Sequence, residues 1–348
     1  MTPLVDQRPG HAPVGAAGIA YRLLRRLPSV LYPGVDRLHK DYSLWSDVQL
    51  VRQLRGGRGI VLGTRPGLNL LIAQLNVPGF IAIGQEQMNL GNHKPRVRRQ
   101  IARWYPRLDG LVVLTQQDAD AYDELLVGQL PVTVIPNSVR PLGGPPVDPA
   151  ARVAVAAGRF GKLGQKGFDL LIPAWALVAK RHPEWRLLIY GDGVLRRRLE
   201  GMIEALELDR RVELPGATGD MGQAMSGASV FVLSSRYEGF PLILLEAMSK
   251  GLACVSFDCP TGPREVVHHG EDGLLVPPQD VEKLAEAIIE VIEDEDLRRR
   301  LGEAGRAAAR RFEMASIGPR WDALLAAAAV PGRAASGERD EAALSVPT

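Results

Sequence analysis

Two glutamates stand where a carboxylate could hold a small polar ligand. Glu238 and Glu246 are separated by seven residues in the run Ser234-Ser235-Arg236-Tyr237-Glu238-Gly239-Phe240-Pro241-Leu242, which continues through Ile243-Leu244-Leu245-Glu246-Ala247-Met248. Val230 to Leu233 is a short apolar run, too short for a helix and right for a strand buried in a parallel sheet. Gly239 permits a sharp bend, and Pro241 suits the first position of a helix, where its missing N–H costs nothing. The amides from Gly239 to Leu242 are then orphan donors at a helix start, suited to phosphate or sugar oxygens. Glu238 falls just outside that helix and Glu246 about one and a half turns inside it, at ~3.6 residues per turn. Both can face the crevice at the carboxyl ends of the strands, where open α/β sheets bind ligands. The plainer reading makes Glu238 a cap and Glu246 a solvated helix residue.

A second set of candidates follows an earlier strand. Arg152 to Ala157 is apolar and ends in Gly158; Arg159 and Lys166 come next, with Gly161, Gly164 and Gly167 between and after them. A guanidinium fork and a mobile ammonium can together neutralise a diphosphate, or they can be solvated loop residues. The glycines spell neither a Walker loop nor a clean G-x-G-x-x-G. Trp185 to Tyr190 is a further strand, closed by Gly191-Asp192-Gly193. Asp192 can face a ligand or cap the helix expected over Val194 to Leu206.

Other candidates admit two readings each. His93 follows the strand-terminal run Gln85-Glu86-Gln87-Met88-Asn89 and could act on an acceptor hydroxyl, although a lone His is commonly structural. Lys94, Arg96, Arg98, Arg99, Arg103 and Arg107 interleave with Val97, Ile101 and Trp104, which share one helical face. That basic face could meet anionic lipid or a phosphorylated acceptor, or only water; Tyr21 to Leu27 permits the same choice. Asp118-Ala119-Asp120 has a metal-binding spacing but opens a helix, where acids favour the N-terminus anyway. With Arg159 and Lys166 supplying positive charge, no essential metal and no cofactor is expected.

The elements that must carry these residues alternate. Strand-like runs at Gly59–Leu62, Phe80–Ile83, Leu111–Leu114 and Val132–Ile135 enclose helical patterns at Gly67–Leu75, Pro95–Trp104 and Gln116–Leu126. A second series runs from Val153 to Val276, followed by helices over Val281–Asp294, Leu297–Arg311 and Met314–Ala329. Such alternation implies parallel sheets with right-handed crossovers. At 348 residues two domains are expected. The net charge, 42 − 40 = +2, offers no global drive toward nucleic acid. No apolar run reaches about 18 residues, so none spans a membrane, and no signal peptide is legible. Cys254 and Cys259 stand alone as a pair, which suits reduced thiols in a cytoplasmic protein rather than a zinc site.

Four segments now line up: Gly158-Arg159-Phe160 through Lys166-Gly167-Phe168-Asp169; Tyr190-Gly191-Asp192-Gly193; Glu238-Gly239-Phe240-Pro241-Leu242 through Glu246; and Gly270-Glu271-Asp272-Gly273-Leu274-Leu275-Val276. In them the chain resembles the retaining, family-4 glycosyltransferases of the GT-B fold, closely over Arg152–Phe312 and more loosely over Arg58–Val139. The resemblance implies an α/β protein of two Rossmann-like, doubly wound parallel-sheet domains facing across a cleft. It divides the chain into an irregular or remnant segment (1–45), an acceptor-side domain (46–140), a linker (141–150), a donor domain (151–312), a helix packing back on the first domain (313–330) and a disordered tail (331–348). The first domain falls short by one to two β-α units, since no strand and Gly-rich turn precede Trp45; Gly15 to Gly18 is the nearest glycine cluster.

Function follows as an expectation: transfer of a sugar, with retention, from a nucleotide diphosphate sugar, a UDP-sugar foremost, to a hydroxyl. The acceptor would be a glycan, a lipid-linked or a small molecule in bacterial surface glycan, glycolipid or glycoside synthesis, reached in the cytoplasm or at the inner membrane face. Cys259-Pro260-Thr261-Gly262-Pro263-Arg264-Glu265 resembles the surface-glycan subset. By resemblance, Arg159 and Lys166 hold the pyrophosphate, Glu246 takes the ribose hydroxyls, and Glu238 with Gly239, Phe240, Pro241 and Leu242 meets the donor sugar. Gly158, Gly191 and Asp192 lie beside the nucleotide. Gln87 stands where relatives often carry a His. A nucleotide-sugar epimerase of the same fold and a non-catalytic nucleotide-sugar-binding protein are the rival functions.

Overall fold

The computed structural model describes residues 15–161 and 164–329. They divide into two compact units. One takes in the described residues through Val113, Asp118–Ile135 and those from Arg320 onward; the other comprises Leu114–Gln117 and Pro136–Pro319. The division falls inside the last helix, and the Pro/Gly-rich residues 141–150 go with the second unit.

The first unit opens with helices α1 (Gly15–Leu24) and α2 (Leu44–Leu54). The expectation of an irregular 1–45 segment is therefore corrected over its described part. The Gly/Ala cluster begins a helix, and α2 runs across the expected boundary at residue 45. Asp47 ties the connection down, accepting from Ser29 Oγ at 2.5 Å and from the Val30 amide at 2.8 Å. Four parallel strands follow, β1 (Gly59–Gly63), β2 (Phe80–Gln85), β3 (Gly110–Val113) and β4 (Val132–Val134), in the order β1-β2-β3-β4. Helices α3 (Pro66–Leu75), α4 (Pro95–Trp104) and α5 (Gln116–Leu126) connect them. All seven elements fall where the apolar periodicity puts them, within about two residues. Leu70, Ile101, Tyr105, Leu111, Val113 and Tyr122 form the core. The strand order runs one way, so the reversal that defines a doubly wound sheet is absent among these described strands.

The second unit has that reversal. Its six parallel strands are β5 (Val153–Ala157), β6 (Arg186–Tyr190), β7 (Val212–Gly216), β8 (Val230–Leu233), β9 (Ala253–Phe257) and β10 (Leu274–Val276). The order is β10-β9-β8-β5-β6-β7, so the chain builds outward from β5 on one side and from β8 on the other. Period-2 alternation buries both faces of the central strands. Val230 and Val232 point into one cluster with Trp175 and Ile189, while Phe231 and Leu233 point into the other with Leu244, Met248 and Phe312. The helices are α6 (Phe168–Arg181), α7 (Arg196–Ala205), α8 (Met221–Ser226), α9 (Leu242–Lys250), α10 (Pro263–Val266), α11 (Val281–Glu293) and α12 (Glu295–Ala309), and the division crosses α13 (Met314–Ala329). Residues 141–150 are held to this unit: Pro145 O accepts from Ser226 Oγ at 2.6 Å and from Lys250 Nζ at 2.7 Å.

Candidate functional site

Ligands of open α/β sheets bind beyond the carboxyl ends of the strands where the order reverses. Here that point lies between β5 and β8, whose departing loops carry Gly158 to Gly167 and Ser234 to Pro241. Two residues 72 apart in sequence meet there. Lys166 Nζ donates to Glu238 Oε1 at 2.7 Å, and the Lys166 stem lies over Gly158, where an added Cβ would come within 2.8 Å of it. Ser235 Oγ donates to the same carboxylate oxygen at 2.5 Å, and Thr261 Oγ1 holds the Glu238 carbonyl. Glu238 is thus buried, with Oε1 engaged by two donors, rather than a carboxylate facing an open crevice.

The loops are clamped together by groups that sequence reading missed. Arg236 makes a bidentate pair with Asp169, Nη1 to Oδ1 at 2.7 Å and Nη2 to Oδ2 at 2.9 Å, and also donates to Gly164 O. Burial raises the Asp169 carboxyl, but the bonds and charge of Arg236 outweigh it and leave the pKa below the ordinary value. Gly167, at φ +62°, begins α6 so close to β8 that a Cβ would lie 1.9 Å from Ser234 O.

Glu246 lies in the second turn of α9, half-buried, with no side-chain partner among the described residues. Burial alone pushes its carboxyl above the ordinary 4.5. A carboxylate held this way lacks donors, and ligand hydroxyls would supply them. Arg159 is exposed on the same β5–α6 loop, also without a described side-chain partner.

Several expectations need correction. Pro241 is the residue preceding the helix, not its first position: its carbonyl accepts from the Leu244 amide at 3.0 Å. It has no N–H, and the Leu242 amide is taken by Phe240 O at 2.9 Å. Gly239 and Phe240 therefore keep the amides available to a ligand. The Phe240 ring packs in the core against Phe312, so only its backbone can serve. Asp192 does not cap α7, which starts at Arg196; its Oδ1 accepts from the Gly193 amide at 2.7 Å. The close backbone approach at Gly191 is to protein: a Cβ there would sit 1.9 Å from Gly158 O. Gly191 thus shapes the loop that carries Arg159.

In the first unit, Glu86 is buried and accepts from Asn69 Nδ2 at 2.8 Å and from Tyr105 OH. His93 Nε2 stands 3.6 Å from Glu86 Oε2, and the ring is only 5% exposed. Neither atom has a hydrogen-bond partner among the described residues, and the burial closes His93 off from an acceptor hydroxyl in this structure. The D-x-D reading also gives way: Asp118 is buried and accepts from the Leu90 amide at 3.1 Å. Among the described residues no cluster of three His, Cys, Asp or Glu could hold a metal, and no helix is long and apolar enough to cross a membrane. Both cysteines are free thiols; burial first, and then the charge of Glu238, push Cys259 up to about 12.

This reversal-point site coincides with a family match. Residues 146–308 match the family described as Glycosyl transferases group 1. The second unit carries a group 1 domain. Outside that domain, likeness extends to an exopolysaccharide phosphotransferase of Streptomyces coelicolor, 36% identical over 311 residues, 87% of this chain and 32% of that protein. A poly(glycerol-phosphate) alpha-glucosyltransferase of Bacillus subtilis is 26% identical over 66% of this chain and 34% of its own length. The chain therefore spans about a third of the length of these two relatives. Among solved structures, an S. aureus TarM mutant in complex with Fondaparinux, alpha-GlcNAc-glycerol and UDP superposes with a TM-score of 0.71 at 22% identity, over 83% of this chain and 60% of that one. With its two parallel sheets the chain has the GT-B fold, and the group 1 domain supplies the half that contains Lys166, Glu238 and Glu246.

Proposed function

We propose that the protein transfers a sugar from a nucleotide diphosphate sugar, a UDP-sugar, to a hydroxyl of a bacterial surface glycan or glycolipid, with retention at the anomeric carbon. One observation carries this reading: Lys166 and Glu238 meet at 2.7 Å where the strand order reverses, inside a group 1 domain. The UDP in the TarM complex supports the donor, and the glucosyltransferase likeness supports the acceptor class.

The roles follow from charge and reach. Lys166, freed from Glu238, and Arg159 neutralise the departing diphosphate, stabilising charge that develops only as the bond breaks. The sugar C1–O bond to the diphosphate breaks and its electron pair leaves with the nucleotide. The acceptor oxygen attacks C1 on the same face, and its proton passes to a departing phosphate oxygen. Glu238 then holds sugar hydroxyls, while Glu246 accepts from the ribose hydroxyls. The two cationic side chains make an essential metal unnecessary.

The products discriminate among reactions. Glycosyl transfer releases UDP, whereas transfer of a sugar phosphate, the chemistry that the name of the Streptomyces relative suggests, would release UMP. An epimerase would change the sugar without any acceptor. Chromatography of the nucleotide product, with NMR of the new anomeric linkage, tests the proposal. UMP release, an inverted linkage, or acceptor-independent turnover would each refute it.

A further inference from the structure

One surface of the first unit carries charge with nothing set against it. From Lys94 to Arg107 the chain has Lys94, Arg96, Arg98, Arg99, Arg103 and Arg107, and no Asp or Glu. All six are exposed, and none has a carboxylate partner among the described residues. Exposed arginines elsewhere do pair, as Arg181 with Glu293 and Arg186 with Glu213. Since the whole chain is only +2, the excess is local. At ~100° per residue, Arg96, Arg99 and Arg103 fall within about 60° of one another on α4, and at ~1.5 Å per residue they span about 10 Å.

The opposite face of α4 is spent on the core, where Val97, Ile101 and Trp104 pack. Trp104 is closed off further. Its Nε1 donates to Gln100 at 3.0 Å, and the Arg103 and Arg107 guanidinium carbons lie 5.1 and 4.4 Å from its ring centroid. The exposed face therefore offers cations without an apolar wedge for acyl chains and without a free aromatic ring for base stacking. By contrast α1 and the turn after it expose Ile19, Leu23 and Leu27 beside their arginines.

We infer that the basic face of α4 binds a soluble polyanion with a repeating phosphodiester, a glycan or polyol chain joined through phosphate. Guanidinium forks match phosphate oxygens two at a time, and a row of them suits charges repeated along a flexible chain rather than a single phosphate. The inference rests on the glycosyl-transfer reading only in making that chain the acceptor; binding itself needs no donor.

Fluorescence anisotropy of a labelled poly(glycerol phosphate) oligomer, titrated with the full chain at several NaCl concentrations, tests it. With three to four phosphates neutralised at ~0.7 each, log K should fall against log salt with a slope of about −2 to −3. The triple variant Arg96→Glu, Arg99→Glu, Arg103→Glu should bind at least about tenfold more weakly, with UDP affinity and circular dichroism unchanged. Arg299→Glu with Arg300→Glu, on α12, should bind like the wild type. Should the triple variant misfold, Arg99→Gln alone should flatten the slope by about 0.7. Unchanged binding by the folded triple variant, or an unchanged slope for Arg99→Gln, overturns the inference. Equal or tighter binding to polygalacturonate, single-stranded DNA or phosphatidylglycerol vesicles overturns it as well. Failure of the wild type to bind UDP would sink the donor-site reading alone and leave the polymer result standing.

Discussion

Under the proposed mechanism, replacing Lys166 should lower turnover and replacing Glu246 should weaken nucleotide binding. Lys166→Ala removes the charge proposed to stabilise the leaving diphosphate, and steady-state kinetics should show kcat lower by about 10²–10³-fold. Arg159→Ala should do the same more mildly, being exposed. Turnover near wild type in both would show that the leaving group is stabilised elsewhere. Glu246 has a pH signature. Its folded pKa is raised by burial, so no stability is lost below its ordinary value of 4.5, and stability falls as pH rises through the folded pKa. Glu246→Gln should therefore melt higher than wild type at pH 7, and the gap should close near pH 4. The same variant should bind UDP more weakly at pH 7. A melting gap that persists at pH 4 would show that the gain does not come from the buried charge.

Among the elements, what matters is how two loops are held at one place. Arg236, in the loop after β8, grips Asp169 at the start of α6, and both side chains are a quarter exposed. Loss of this two-bond pair in Arg236→Ala should cost about 1–3 kcal/mol. It should also raise the donor KM, because Lys166 and Glu238 belong to the loops it joins. Chemical denaturation with matched kinetics checks both parts; a stability loss with an unchanged KM would make the clamp structural only. Gly167→Ala is harsher. A Cβ 1.9 Å from Ser234 O cannot be accommodated without moving backbone, and φ +62° is strained for alanine. It should destabilise by more than about 2 kcal/mol, read as a lowered denaturation midpoint.

For the molecule as a whole, the near-neutral charge balance hides two unlike surfaces. The α4 face is uniformly cationic and polar, while α1 and the turn after it pair arginines with exposed Ile19, Leu23 and Leu27. Ligand linkage gives a test of the donor proposal that needs no acceptor. UDP at 100 times its Kd should stabilise the protein by about 2.7 kcal/mol, seen as a raised melting temperature. That shift should survive EDTA if no metal is essential, and its disappearance on chelation would reinstate a metal.

Local signals determined most of the elements. Apolar runs, turn glycines and helical periodicity placed all the strands and helices of both sheets that were named in advance, because those signals act over a few residues and the burial of one face makes them visible. The segment before Trp45 was not legible, since a Gly/Ala run has no apolar stripe to announce the helix that it begins. Motif residues Lys166, Glu238 and Glu246 could be picked out as polar groups beside strand ends. Only the tertiary structure decided what they touch. The Lys166–Glu238 and Arg236–Asp169 pairs join residues 72 and 67 positions apart, and no pattern within either loop names its mate. The fate of His93 and Asp118 was decided in the same way: a side chain's type does not reveal whether packing will bury it, and burial placed His93 beside Glu86 and gave Asp118 the Leu90 amide.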